Sequence, residues 1–369
     1  MIRVLHSVSN MDRAGIETML MNYYRHMDRT AIQFDFIVNK PKPGDYDAEI
    51  RRMGGHIYQS PGLNPLNYPQ YLRFVQQVLA QEPAIKILHA HNEAMGLYAL
   101  NGAKKAGLKV RIAHAHNTRI IQDYKWPLKM LCKQFLASSA TDLWACGRDA
   151  GIYFFGKKNW EARGMVLHNA IEVERFRFDP AVRAQMRARY ALGNRIVLGH
   201  VGRFNVQKNH ERLLDIFAQF LQLEPEAMLV LIGVGELQDA TRAKAEQLGI
   251  AEHILFAGLQ SNVADWYQMM DLFVMPSRFE GLPVVGVEAQ ASGLPCLFSD
   301  AVPDEVLLSE QAVRFPLGAA DEAWDAEAHR LLQLHPDRTQ GAATVRRAGY
   351  DIHVEAARLQ ALYLQMAQR

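Results

Sequence analysis

Leu272-Phe273-Val274-Met275-Pro276-Ser277-Arg278-Phe279-Glu280-Gly281-Leu282-Pro283-Val284-Val285-Gly286-Val287-Glu288-Ala289 changes its structural period once. Leu272 to Met275 is a short apolar run of strand type, and Val284 to Ala291 reads as a helix. Glu280 and the peptide groups of Gly281, Leu282, Pro283 and Val284 therefore sit where a strand ends and a helix begins. Backbone N–H groups without an intrahelical partner point outward at such a place, and the helix dipole favours an anion there. Glu288 follows Glu280 by just over two helical turns. A site of this kind holds a phosphate at the turn while carboxylates grip hydroxyls around it. A phosphorylated sugar answers that description.

The same strand-then-helix unit recurs along the chain. Strand-like runs are Arg3–Val8, Phe34–Val38, Ile85–Ala90, Val110–Ala115 and Leu143–Cys146, then Ile196–Val201, Met228–Ile232, Ile254–Ala257, Leu272–Met275 and Cys296–Ser299. Amphipathic stretches such as Gly15–Met27, Pro69–Ala80, Glu93–Ala106, His210–Leu223 and Leu237–Leu248 separate them. Regular alternation predicts α/β architecture, with parallel sheets covered by helices on both faces. A length of 369 residues is enough for two such domains. The alternation pauses over the charged, Arg-rich segment Glu172 to Asn194. The expected division is residues 1–170 and 171–350, with an amphipathic tail, 351–369, returning to the first domain. Two doubly wound domains in series are expected to face a cleft lined by their strand C-terminal ends.

Composition narrows the class. No run of about 18 uncharged apolar residues occurs, so no spanning helix is expected. The N-terminus enters a strand directly and lacks the apolar core of a signal peptide. Cys132, Cys146 and Cys296 are isolated and without metal-type spacing, as buried thiols of a cytoplasmic protein are. Residues 1–170 carry 22 Lys/Arg against 13 Asp/Glu, whereas residues 171–369 carry 19 against 26. The basic first half predicts an anionic neighbour, unless the imbalance is only solvated surface charge. No nucleic-acid partner is expected.

Three further segments of the second half carry chemistry. Gly202-Arg203-Phe204-Asn205-Val206-Gln207-Lys208-Asn209 follows a strand and precedes a helix. Arg203 and Lys208 there form a candidate diphosphate clamp, with Arg binding oxygens bidentately and Lys acting as a point charge. Two solvated loop cations are the plainer reading. In Gly233-Val234-Gly235-Glu236, and at Gly258, glycine allows close approach of a ligand or simply makes a tight turn. The glycine pattern lacks the third glycine and the later acidic residue of a dinucleotide fingerprint, so as an NAD signal it is weak.

Together these residues resemble the second domain of glycosyltransferase family 4, retaining enzymes of GT-B fold. The matching elements are Gly202-Arg203-Phe204 with Lys208-Asn209, Gly233-Val234-Gly235-Glu236, Phe256-Ala257-Gly258, and Glu280 through Glu288. The resemblance implies that Glu280 holds the donor sugar near its reacting carbon. It also implies that Glu288 binds the ribose, that Arg203 and Lys208 take the diphosphate, and that Gly281 to Val284 serve sugar and phosphate through their backbone. The first half resembles the family more loosely. Gly15 opens a helix ahead of Glu17, but Ala14 stands where the family shows the first of two glycines.

His89-Ala90-His91-Asn92 and His114-Ala115-His116-Asn117 end two strands, so within each pair the histidines share a face. Four histidines invite a zinc reading, but no carboxylate is spaced to complete a hydrolase site, although Glu93 is adjacent. The family resemblance instead makes His116, with His114 second, the histidine near the reacting sugar. No catalytic metal or other cofactor is expected. Lys125, Trp126, Lys129, Met130 and Lys133 form a basic stripe at helical spacing. It suits either an anionic membrane surface or a solvated helix with a buried apolar side.

The expectation is a retaining hexosyltransferase. It would move a sugar from a nucleotide-diphosphate sugar, UDP-linked by preference, to a hydroxyl of a lipid-linked or growing glycan. Capsular, exopolysaccharide or lipopolysaccharide assembly, at the inner face of the plasma membrane, is the expected setting. A GT-B nucleotide-sugar epimerase and a non-catalytic nucleotide-sugar-binding protein are the alternatives. A phosphorylase would need a lysine set for a pyridoxal cofactor, and no such motif is present.

Overall fold

The structure is a computed structural model that describes residues 1–120, 123–334 and 337–369. It divides into two units, Met1–Ala170 with Ile352–Arg369, and Ile171–Asp351. Each is built around a fully parallel sheet.

In the first unit the strands are β1 Ile2–Val8, β2 Ile32–Val38, β3 Ile57–Gln59, β4 Ile85–Ala90, β5 Val110–Ala115, β6 Asp142–Ala145 and β7 Gly164–Val166, in the order β3-β2-β1-β4-β5-β6-β7. In the second they are β8 Val197–Val201, β9 Met228–Ile232, β10 Ile254–Gly258, β11 Leu272–Met275, β12 Cys296–Ser299 and β13 Ala312–Phe315, ordered β10-β9-β8-β11-β12-β13. In both sheets the chain winds one way from the first strand, then returns to the other side of it. The winding reverses between β1 and β4, where His6 pairs with His89, and between β8 and β11, where Phe273 pairs with Gly199. Loops leaving two such neighbours turn to opposite faces, which opens a crevice beyond their C-terminal ends. This topology places the functional loops.

Helices cover the sheets with apolar stripes. His210–Phe220 buries Leu213, Leu214, Ile216, Phe217 and Phe220, the spacing of one helical face. Each such side chain contributes about 1.5–3 kcal/mol of transfer free energy. Ile352–Met366 buries Ala356, Leu359, Tyr363 and Met366 in the core of the first unit, beside Phe34 and Trp144. Arg3 and Asp35, on β1 and β2, form a buried ion pair at 2.6 Å, and Arg3 also donates to the Gly54 carbonyl.

The Arg-rich segment at the start of the second unit is ordered rather than a break. It holds helices Val173–Phe176 and Pro180–Arg189. Arg183 and Arg187 both reach Asp271 at 2.5 and 3.2 Å, and Asp271 also accepts from the Val197 amide at the start of β8. Its charges are spent on tertiary contacts, which is why the segment looks like a solvated linker in sequence. Strands β3, β7 and β13, absent from the sequence reading, are edge strands of three or four residues. They are too short to show a period.

Candidate functional site

In the second unit the loops after β8 and β11 meet at the winding reversal. Lys208 Nζ lies 2.8 Å from Glu280 Oε1, and Gln207 Nε2 donates to Glu280 Oε2 at 3.0 Å. The backbone holds the two loops in register. The Arg278 amide donates to the Gln207 carbonyl, and Asn209 Nδ2 donates to the Pro276 carbonyl. Asn209 adopts a left-handed conformation, φ 56°, that Asn tolerates better than most residues. That conformation turns the chain into the His210–Phe220 helix while its side chain crosses to the neighbouring loop. Glu280 is 5% exposed, so the pair with Lys208 is shielded from solvent.

The helix that follows Glu280 runs Val284–Ala291, and no side chain caps it. The donors of its first turn thus have no side-chain acceptor. Glu288 accepts from the Tyr267 hydroxyl at 3.0 Å. Burial pushes its carboxyl up to about 7, against the opposing pull of that hydroxyl and of Arg175. Gly281, Leu282 and Pro283 are buried, and Val284 is half-buried.

Arg203 and Lys208, expected to act together, have different partners. Arg203 is exposed and pairs with Glu236 at 3.1 Å, whereas Lys208 pairs with Glu280. Gly233 and Gly235 have a packing role of their own. A Cβ on Gly233 would lie 2.1 Å from the Gly202 carbonyl oxygen, and one on Gly235 would lie 2.4 Å from that of Phe204. Hydrogen bonds from the Phe204 amide to Val234 O and from the Leu237 amide to Phe204 O lock the same crossing. Gly258 differs, since its φ of +67° requires glycine while the space around it is open. Gly235→Ala is therefore expected to cost about 3 kcal/mol or more, because a backbone neighbour cannot yield as a side chain does. That corresponds to a fall of roughly 6–12 °C in thermal midpoint without nucleotide. Gly258→Ala should cost only about 1–2 kcal/mol of left-handed strain. A Gly235→Ala protein that melts like the parent but fails to bind nucleotide would contradict the packing role.

In the first unit the histidines converge further than their spacing foretells. His6 of β1 joins His89 and His91 at the end of β4, and His114 and His116 at the end of β5. All five are buried. His6 Nδ1 lies 3.0 Å from His91 Nε2, and His91 Nδ1 lies 2.9 Å from His116 Nε2. His89 Nε2 lies 3.1 Å from His114 Nδ1, and its Nδ1 lies 2.7 Å from the Tyr363 hydroxyl. Burial pushes His6 and His116 down to about 3. It drives His89, His91 and His114 well below the usual histidine value, helped by their mutual repulsion. The cluster is thus held neutral. Nitrogens of His6, His89 and His91, and of His91, His114 and His116, lie within 4.8 Å of one another; among the described residues no carboxylate joins either group. Beside the cluster, Asn117 donates to Glu93 at 2.7 Å, and Glu93 has φ +50°. Gly15 begins the helix Gly15–His26, which no side chain caps, and a Cβ at Gly15 would meet nothing.

The whole chain is 35% identical over 368 residues to the putative glycosyltransferase EpsF of Bacillus subtilis (strain 168), covering 98% of this chain and 96% of that one. The chain belongs to glycosyltransferase family 4. Residues 13–175 of this glycosyltransferase match the family model Glycosyltransferase Family 4, and residues 182–332 match Glycosyl transferases group 1. It is 26% identical over 321 residues to a GDP-mannose-dependent alpha-(1-6)-phosphatidylinositol monomannoside mannosyltransferase of Mycolicibacterium smegmatis, covering 80% of each chain. Among solved structures it resembles Anabaena HepE in complex with UDP, at TM-score 0.80 and 15% identity over 99% of this chain and 100% of that one. The glycosyltransferase has the GT-B fold.

Sequence reading of the glycosyltransferase missed His6 and Tyr363 as members of the histidine cluster. It also missed Gln207 and Glu236 as partners of Glu280 and Arg203. His6 alternates with Val4 and Val8 on one face of β1, which was the available signal. Tyr363 gave none, being 274 residues from its partner His89.

Proposed function

We propose that this glycosyltransferase is a retaining enzyme that uses a nucleotide-diphosphate sugar, with UDP as the preferred nucleotide. The supporting observation is the Lys208–Glu280 pair, held at the winding reversal and directly before an uncapped helix start. Donor binding would exchange the carboxylate for phosphate oxygens as the partner of Lys208. That frees Glu280 for sugar hydroxyls near the reacting carbon. Arg203, on an exposed and movable pair, would close on the diphosphate, and Glu288 would take the ribose. His116 is assigned to a position close to the reacting sugar, and Gly15 to a backbone approach. Departure of the diphosphate and a transient oxocarbenium ion need positive charge and aligned dipoles at the leaving group. Lys208, Arg203 and the amides of Gly281 to Val284 would supply them.

UDP is favoured by the likeness to a UDP-bound structure, and GDP is the competitor that the mannosyltransferase relative raises. A thermal-shift screen with UDP, GDP, ADP and their sugars separates them by mass-action stabilisation. The anomeric configuration of the product, read by NMR, tests retention. An inverted product refutes the proposed mechanism. Binding without any turnover would make the protein a nucleotide-sugar binder, and sugar isomerisation without transfer would make it an epimerase.

We assign the acceptor to a lipid-linked or growing glycan of cell-surface polysaccharide synthesis, with the first unit at the membrane surface. On the helix Trp126–Ser139 and the residue pair before it, Tyr124, Trp126, Leu131 and Phe135 are exposed. The lysines between them are tied back to the protein: Lys125 to the Leu63 carbonyl, Lys129 to Asp123, and Lys133 over the Tyr153 ring. The outward surface is thus aromatic and aliphatic within a basic unit, which suits the interface of an anionic bilayer. Among the described residues no helix is long and apolar enough to cross a membrane. Leu131→Glu with Phe135→Glu should abolish co-sedimentation with phosphatidylglycerol-containing vesicles and leave the thermal midpoint in place. Undiminished co-sedimentation refutes this surface.

A further inference from the structure

The histidine cluster contains a directional chain. A neutral imidazole has one N–H donor and one lone-pair acceptor. In the row His6–His91–His116 each contact joins a Nδ1 to the next ring's Nε2, so all protons must run the same way along it. If they run toward His6, the last proton sits on His6 Nε2. That atom is buried without a hydrogen-bond partner, and its ring lies against Phe34 at 4.2 Å and Phe36 at 5.5 Å. If they run toward His116, His6 Nε2 carries only a lone pair. An orphaned buried N–H is the rarer and costlier of the two. The apolar wall of β2 therefore sets the direction from the far end.

We propose that His91, backed by His6, is a positioning residue that fixes His116 in the tautomer protonated on Nδ1. His6 donates from Nδ1 to His91 Nε2, and His91 donates from Nδ1 to His116 Nε2. His116 then has its lone pair occupied and one hydrogen left, on Nδ1. It offers a substrate a donor and no base. This inference rests on the assignment of His116 to the sugar site. In that setting His116 binds a hydroxyl or ring oxygen and does not take up the acceptor proton. The parallel row Tyr363–His89–His114 packs beside it, with the His114 and His116 rings 4.0 Å apart. His114 Nε2 is also buried without a partner, so the same rule puts the His114 proton on Nδ1, facing His89.

The test is ¹⁵N NMR of histidine-labelled full-length protein, with His116 assigned by difference from a His116→Gln sample. A protonated Nδ1 and an unprotonated Nε2 at neutral pH are expected. His91→Asn keeps an amide donor close to the position of the lost Nδ1–H, whereas His91→Leu removes it. The Leu variant should show mixed tautomers at His116 and a kcat lower by about 10–100-fold, the scale on which partners of functional imidazoles act. Its donor KM should be unchanged, and the Asn variant should recover most of the rate and the single tautomer. A His116 protonated on Nε2 in the parent protein overturns the proposal. So does one zinc per chain in the purified protein, or equal loss in both variants with the tautomer unmoved. If His91→Leu does not fold, the parent spectrum alone decides. The tautomer is readable in a protein that transfers no sugar, so failure of the assigned reaction and failure of this chain are separate results.

Discussion

Glu280→Gln should lower kcat for sugar transfer by about 10²–10³-fold, the scale of one lost electrostatic contact at the reacting centre. At the same time it should bind the nucleoside diphosphate as tightly as the parent or more so. The two effects have opposite signs because Glu280 has two partners in the cycle. Without donor its carboxylate neutralises Lys208 at 2.8 Å in a shielded setting. Glutamine retains the shape and the contact with Gln207 but leaves Lys208 without a counter-charge. A diphosphate restores that charge, so the variant gains from binding what the parent already has. Lys208→Met acts in reverse. It strands Glu280 in a buried position, which costs about 3–5 kcal/mol of stability. It should also weaken diphosphate binding by about 2–5 kcal/mol. Calorimetric titration of the variants and initial rates measure both quantities. Full turnover by Glu280→Gln would remove Glu280 from the site, and parent-like affinity in Lys208→Met would remove Lys208 from the clamp.

The first unit is expected to unfold steeply in mild acid. Its five clustered histidines are held neutral, with folded values at about 3 for His6 and His116 and well below normal for the others. Unfolded histidines titrate near 6.5. Their folded values are depressed, so their contribution to stability is complete above about pH 6.5. It is lost as pH falls from there toward about 3, by about 1.4 kcal/mol per pH unit for each ring. Glu17 and Glu93 oppose this. Burial raises both to about 7, so between about pH 4.5 and 7 the folded state binds their protons and gains from acid. They offset two of the five histidines in that interval, leaving a net uptake of about three protons on unfolding. Below about pH 4.5 the offset ends and the slope steepens toward five. Against a typical stability of about 5–15 kcal/mol, unfolding near pH 4–5 follows. Denaturant midpoints measured from pH 7 to 4 give the proton uptake directly. A slope near zero across pH 5–6 would mean that only about two of the five rings are held neutral, and stability rising with acid there would mean that none is.

The strand-to-helix alternation was legible because each parallel strand is a nearly pure apolar run and each helix shows one face. The placement of Glu280 and Glu288 about a strand-to-helix turn was legible because Gly-Leu-Pro fixes where strand gives way to helix. What stayed hidden depends on distance in sequence. His6 reads as one polar residue in a buried strand until β1 and β4 are laid side by side. Tyr363 reads as core until its helix is set against β4. Gly233 and Gly235 read as ligand-approach positions, while in the fold the backbone of residues 202–204 already occupies that approach. The stripe from Lys125 to Lys133 read as basic from the lysines. Their chains fold back, so the helix turns its apolar residues outward instead.

The first unit is closed by a helix, Ile352–Met366, that follows the whole of the second unit in the chain. Translation runs in one direction, so β1 to β7 emerge while the residue that meets His89, Tyr363, does not yet exist. At about 5–20 residues per second, the interval from Ala170 to Ile352 is roughly 10–40 s. During that time the cleft left by Leu359, Tyr363 and Met366 stays open to water, and the second unit, continuous in sequence, is free to fold first. The last helix is thus the final piece of the first unit's core to be made.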